Sequence, residues 1–186
     1  LAPSGLTVTL QNGLGNREQL AAVLGSERVT AGVTAQGANV LAPGHIRHAG
    51  AGETHLAATA SRGDLLYEFA TLLNQGGIAT TIVENAVGLI WGKVAVNAGL
   101  NPLTALFDTP NGAVLEDDLL RQAAMCAARE VAAVGAVQGI RLPYADAAER
   151  VIAVAQVTAA NISSMLQYIR RGAPTEIEAI CGAVVR

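Results

Sequence analysis

Lys93 is the only lysine in the chain; the remaining basic residues, of twelve in all, are arginines. It stands in Leu89-Ile90-Trp91-Gly92-Lys93-Val94-Ala95-Val96, a run apolar enough to be buried. An ammonium there costs several kcal/mol unless it is paired or its pKa falls. Such surroundings suit a general acid or a Schiff-base former, although a lysine snorkelling to the edge of a helix has the same local sequence. Asn97 and Asn101 follow at four-residue steps, which puts all three on one face of a helix. An amide both donates and accepts, so this stripe matches a ligand with hydroxyl and carbonyl groups. The same amides could instead bond neighbouring backbone inside a bundle. Pro102 is expected to kink the helix or to end its first part.

Other polar residues carry weaker signals. Asn111 lies in Thr109-Pro110-Asn111-Gly112 and reads as a turn residue. Thr175-Glu176-Ile177-Glu178 has the form of a capping box, in which Thr175 caps and Glu178 reaches back. Glu176 is then left in the first turn, placed to bind ribose or substrate hydroxyls or simply to complement the helix dipole. Asn161-Ile162-Ser163-Ser164 is a helix start, where backbone N–H groups can also meet a carboxylate. Gln11-Asn12-Gly13-Leu14-Gly15 sits at a strand end, the place where α/β sheets bind ligands. It is not the three-glycine phosphate fingerprint, and no such fingerprint occurs in these 186 residues. His45, His48 and His55 lack metal-ligand spacing, so no metal site is expected. Nothing supports a Ser–His–Asp nucleophile.

The elements that must carry these residues fall into two zones. Up to about residue 84 the chain is rich in Gly, Thr and Val. Strands are expected at Leu6–Leu10, at Thr54–Ala58 and at Thr80–Val83. Two more, Val29–Gln36 and Gly44–Ala49, read as joined by a turn at Asn39–Pro43. Helices are expected over Arg17–Leu24 and Arg62–Asn74, the latter stopped by Gly76-Gly77. Beyond Glu84 the pattern is helical throughout. Asn85 to about Leu106 is apolar on nearly every face, as in a helix enclosed by others. One long helix is expected over Ala113–Gln138, opening on Glu116-Asp117-Asp118 and ended by Gly139. Ala145–Ala160, Ser163–Arg171 and a helix from Thr175 complete the set. The expected fold is therefore α/β over residues 1–84 followed by an all-α part over residues 85–186.

Composition limits the function classes. With 51% hydrophobic residues, 15% charged residues and a mean hydropathy of +0.37, the chain can bury a core. A net charge of −3 and a pI near 5.6 argue against nucleic acid. The most apolar stretch, Ala86–Leu100, carries Lys93 and Asn97 and is shorter than the ~20 residues of a membrane span. There is no signal-peptide pattern. Two cysteines, Cys126 and Cys181, make no disulfide framework, which fits a reducing cytoplasm. A first residue Leu1 and a last residue Arg186 inside a helical pattern are read as the ends of a piece.

Taken in order, Gln11-Asn12-Gly13-Leu14-Gly15, Trp91-Gly92-Lys93 through Asn97 to Asn101-Pro102-Leu103-Thr104-Ala105-Leu106, Asn161-Ile162-Ser163-Ser164-Met165-Leu166-Gln167 and Thr175-Glu176-Ile177 resemble the ketopantoate reductase (2-dehydropantoate 2-reductase) family over nearly the whole chain. The resemblance implies the C-terminal part of a Rossmann-type NADP-binding domain at residues 1–84 and a helical substrate and catalytic domain, with an incomplete C-terminus, at residues 85–186. It implies NADPH-dependent reduction of 2-dehydropantoate to pantoate on the way to coenzyme A, in the cytoplasm. Lys93 would be the proton donor. Asn97, Asn101 and Asn111 would hold the substrate, with Ser164 and Asn161 at its carboxylate or hydroxyl end. Asn12, Ala38 and Glu176 would contact the cofactor. Glu178 and Cys181 depart from the family's usual Asp and Asn. The implied partner is the small-molecule substrate, with a homodimer left open and neither nucleic acid nor membrane. A related 2-keto acid reductase, or a non-catalytic helical dimerisation or ligand-sensing piece, are the alternative readings. Without the glycine-rich turn these residues alone are expected to hold NADPH weakly and to be inactive.

Overall fold

The computed structural model describes Ala2 and residues 4–186, apart from the side chain of Asn39; Leu1, named above as a chain end, lies outside the described residues. Chain contacts divide it into one unit running to Gln11 and from Gly15 to Ala86, and a second made of Asn12–Leu14 and Val87–Arg186. The expected α/β-then-helical fold class is borne out.

The first unit is built on strands β1 (Thr7–Thr9), β2 (Val29–Thr34), β5 (Thr54–Ala57) and β6 (Thr80–Val83), in the sheet order β1-β2-β5-β6. β1 with β2 and β5 with β6 are parallel, and β2 with β5 is antiparallel. Helix α1 (Asn16–Leu24) follows β1, and α2 (Gly63–Gln75) precedes β6. The small core is Leu56, Leu66 and Ala70, backed by Leu6, Val8, Leu10, Phe69 and Ile82. Asn74 fixes the turn out of α2: its amide donates to the Thr80 carbonyl at 2.8 Å and accepts from the Thr80 N–H at 2.9 Å.

Within residues 29–50 the strands Val29–Thr34 and His45–Gly50 lie where strands are expected, and the segment between them corrects the sequence reading. Gly37–Ala42, expected to include a turn, is a strand (β3) that pairs antiparallel with β4 (His45–Gly50) as a separate two-stranded ribbon. The turn is Pro43-Gly44, with Gly44 at φ 75°. The ribbon is largely exposed, so β3 carries no alternation of apolar and polar residues that would mark it in sequence, whereas β4 lies where a strand is expected. Backbone pairing, not burial, defines it.

The second unit packs helices α3 (Val87–Leu106), α4 (Ala113–Glu116), α5 (Asp118–Val137), α6 (Ala147–Val157) and α7 (Ser164–Arg170) around one core. α3 contributes Trp91, Val94, Ala95, Ala98, Leu100 and Ala105 to it. Pro102 lies inside α3 and does not end it, contrary to one of the two expectations for that residue. The single helix expected over Ala113–Gln138 is broken. Asp117 is extended (φ −112°, ψ 124°), and its carboxylate accepts from the N–H groups of Leu119 (2.8 Å) and Leu120 (3.0 Å). A side chain that satisfies two otherwise orphaned donors is more stable as a cap than as one more interior residue. Asp146 caps α6 in the same way. After α7 comes a π-helical turn, Glu178–Gly182, then a last short helix α8 (Ala183–Val185). Among the described residues no helix is long and apolar enough to cross a membrane.

Replacing Asp117 by Ala is expected to destabilise the helical unit by about 1 kcal/mol, although Ala is the better helix former. Urea melts of the two proteins test this. Equal or higher stability of the variant would mean that the break between α4 and α5 is not held by the cap.

Candidate functional site

α3 is surrounded on most sides because it lacks side chains where its neighbours come closest. A Cβ at Gly88 would lie 2.3 Å from the Arg141 carbonyl oxygen, and one at Gly92 would lie 2.7 Å from Pro143 Cδ. At Gly99 it would lie 2.8 Å from both the Ala124 carbonyl oxygen and Val151 Cγ2. Tyr144 donates its hydroxyl proton to the Gly92 carbonyl at 2.7 Å. Burial pushes that phenol up to about 12, against a smaller opposite effect of Arg150, so it stays a donor at any working pH.

The stripe of Lys93, Asn97 and Asn101 runs down this enclosed helix. Lys93 and Asn97 are half-buried and Asn101 is buried. Among the described residues, neither Asn97 nor Asn101 has a hydrogen bond to its side-chain amide. Neither amide is among the described buried polar atoms that lack a partner, so both keep access to solvent. Burial lowers the Lys93 pKa below the ordinary lysine value, and the Glu176 carboxylate works in the opposite direction by favouring the ammonium.

Glu176 is held from a second side. Asn12 Nδ2 donates to Glu176 Oε2 at 2.9 Å. The two residues beyond Asn12 fix that contact. Leu14 N–H donates to the Ala179 carbonyl at 2.8 Å, and Gly13 lies so close that a Cβ would sit 2.4 Å from the same oxygen. Gly13 also has φ 91°, a conformation that glycine alone adopts freely. In the expected capping box only one half forms. Thr175 Oγ1 accepts from the Ile177 N–H at 3.4 Å, whereas Glu178 pairs with Arg186 at 3.0 Å. Cys181 is half-buried with its thiol pKa pushed up by burial, which keeps it neutral.

The remaining candidate residues fall in different places. Ser164 is half-buried at the first position of α7, and among the described residues its hydroxyl has no hydrogen bond. Asn111 is buried; its Nδ2 donates to Thr158 Oγ1 at 2.8 Å, while its Oδ1 is buried without a partner. Asn161 is exposed, and its carbonyl accepts from the Asn111 N–H at 3.0 Å. Ala38 lies on β3, in the first unit. Sequence reasoning did not single out Thr104, Ser163 or Tyr144, whose hydroxyls bond within the helical unit. A hydroxyl directly after Pro143, and a Thr three residues beyond Asn101, were the available signals.

Residues 85–186 match the family described as ketopantoate reductase PanE/ApbA C terminal, and residues 1–61 match ketopantoate reductase PanE/ApbA. The chain belongs to the ketopantoate reductase family. The 2-dehydropantoate 2-reductase of Halobacterium salinarum is 38% identical over 97% of this chain and 59% of its own length. That of Archaeoglobus fulgidus is 39% identical over 98% of this chain and 61% of its own length. The crystal structure of a PanE/ApbA family ketopantoate reductase from Ralstonia eutropha JMP134 covers all of this chain and 60% of its own, with a TM-score of 0.88 and 30% identity. The chain thus spans about three fifths of the length of these ketopantoate reductases.

Because Lys93 is the sole lysine, lysine-specific ¹³C labelling gives one side-chain signal to titrate. Its midpoint is expected below the ordinary lysine value, and Glu176→Gln is expected to lower it further. An unchanged or higher midpoint in the variant would remove Glu176 as the supporting charge. The sign for stability follows. Between the lowered folded pKa and the ordinary unfolded value, the folded chain binds fewer protons, so the Lys93 contribution to stability rises with pH across that window.

Proposed function

We propose that the protein carrying this chain reduces 2-dehydropantoate to pantoate with NADPH. In this reading residues 1–84 belong to the nucleotide-binding domain and residues 85–186 form the substrate and catalytic domain. The observation that carries it is the α3 stripe: a half-buried ammonium in register with two amides that have no protein partner among the described residues. Relatives named 2-dehydropantoate 2-reductase, up to 39% identical to this chain, support the substrate.

The residues fit the nicotinamide end of such a cofactor. Glu176 has lone pairs beyond the one Asn12 occupies, and a carboxylate is the natural acceptor for ribose hydroxyls. Asn12, Glu176 and Ala38 are the cofactor contacts proposed here. When bound, the cofactor supplies the hydride. The chain's own residues do the rest. Lys93 holds an N–H toward the substrate carbonyl oxygen, stabilises the charge developing there and then gives up its proton. A lowered pKa makes that proton easier to give, and Glu176 keeps the ammonium populated. Asn97 and Asn101 orient the keto and hydroxyl groups, which fixes the face of the carbonyl presented to the cofactor. Ser164 takes the carboxylate or hydroxyl end. Asn111 and Asn161 close the same end, Asn111 with an oxygen that is buried without a partner among the described residues.

In the complete protein, Lys93→Ala should lower kcat by on the order of 10²–10⁴ while leaving NADPH affinity little changed. Near-normal turnover of 2-dehydropantoate would remove Lys93 as the proton donor. Asn97→Ala or Asn101→Ala should weaken kcat/KM by about 1–3 kcal/mol with little change in Tm. A large drop in Tm with unaltered kinetics would instead make these amides structural.

A further inference from the structure

We infer that the buried hydroxyl pair Thr104–Ser163 positions Ser164 for the carboxylate or hydroxyl end of the substrate, an inference that rests on the function proposed above. Thr104 is fully buried on α3, three residues beyond Asn101, and Ser163 is buried immediately before α7. Their hydroxyl oxygens are 2.8 Å apart. Thr104 Oγ1 also lies 2.9 Å from the Leu100 carbonyl and 3.1 Å from the Asn101 carbonyl. Ser163 Oγ accepts from the Leu166 N–H at 3.2 Å.

Each hydroxyl has one proton. Thr104 gives its proton to Ser163 Oγ, and the same oxygen accepts the Leu166 N–H, so one oxygen both caps α7 and ties that cap to α3. Apolar contacts of Met165 and Leu166 hold the two helices together but tolerate sliding. A hydrogen bond weakens steeply with angle and distance, so it fixes the residue that makes it. Ser164 is the next residue, and its hydroxyl has no hydrogen bond among the described residues. The pair therefore sets the distance between Ser164 and the turn of α3 that bears Asn101. The loop before Ser163 is tied down separately. Asn111 Nδ2 bonds Thr158 Oγ1 at 2.8 Å, Asn111 N–H bonds the Asn161 carbonyl at 3.0 Å, and Gly112 N–H bonds the Ala159 carbonyl at 3.0 Å. Thr104 and Ser163 are positioning residues: they do not meet the substrate and act through Ser164.

The test is a double-mutant cycle in the complete protein, read as KM for 2-dehydropantoate, kcat and Tm. Thr104→Val keeps the shape and removes the hydroxyl; it should raise KM about tenfold, the scale of one lost hydrogen bond, with a smaller change in kcat. Thr104→Ser should restore KM. Once Ser164 is replaced by Ala, adding Thr104→Val should raise KM little further, because the group it positions is gone. Ser163→Gly, which nearly preserves the cap, should reproduce the KM rise and serves if Thr104→Val does not fold. Unchanged KM in Thr104→Val, or full additivity with Ser164→Ala, overturns the inference. A wild-type protein inert toward 2-dehydropantoate overturns the function reading itself, a result separate from any behaviour of the variants.

Discussion

An ammonium and two amides share one face of a helix that is otherwise packed in apolar surroundings. A short chain of contacts in the helical unit answers the cost of that arrangement. Desolvation alone would favour neutral lysine. Glu176 opposes that, and Glu176 is itself positioned by Asn12, which is positioned by the close seat of Gly13 and Leu14 on Ala179. The π-helical turn that follows Glu176 supplies that seat. The charge on Lys93 thus depends on residues near both ends of the chain.

Polar groups in this unit sort by whether the fold already uses them. Asp117, Asp146 and Ser163 close helix starts, and Tyr144 fastens a loop to α3. Asn97, Asn101 and Ser164 have no such task among the described residues. Asn111 is divided: its nitrogen holds Thr158 and its oxygen is buried with no partner. A buried polar atom without a partner is costly, and among the described residues of this unit Asn111 Oδ1 is the one left in that state.

How much of this could be read from sequence depended on the kind of information each element carries. α2 and β6 were legible because apolar spacing and turn residues mark them. So was the Lys93–Asn97–Asn101 face, which follows from helical geometry once the helix is assigned. β3 was not legible, because Gly37-Ala38-Asn39-Val40-Leu41-Ala42 has the composition of a loop and becomes a strand only through pairing with β4. The break at Asp117 was hidden among three consecutive acidic residues, any of which suits a helix start. The pairing of Asn12 with Glu176, which spans most of the chain, has no local signature; the family resemblance named both residues but not their hydrogen bond. Thr104 and Ser163 were quoted within motifs, yet nothing in sequence shows that they face each other.

The glycines of α3 have a consequence for how the unit assembles. Gly88, Gly92 and Gly99 let the Arg141–Tyr144 loop, α5 and α6 reach the helix backbone. Each also makes an isolated helix less stable, by roughly 0.5–1 kcal/mol relative to Ala, and Pro102 removes a backbone donor. Taken by itself, α3 is a poor helix. It acquires its helical geometry from the neighbours that close over its glycines, so the alignment of Lys93, Asn97 and Asn101 forms as the bundle closes and not before. A partly folded chain has the amine of Lys93 without its alignment to the two amides.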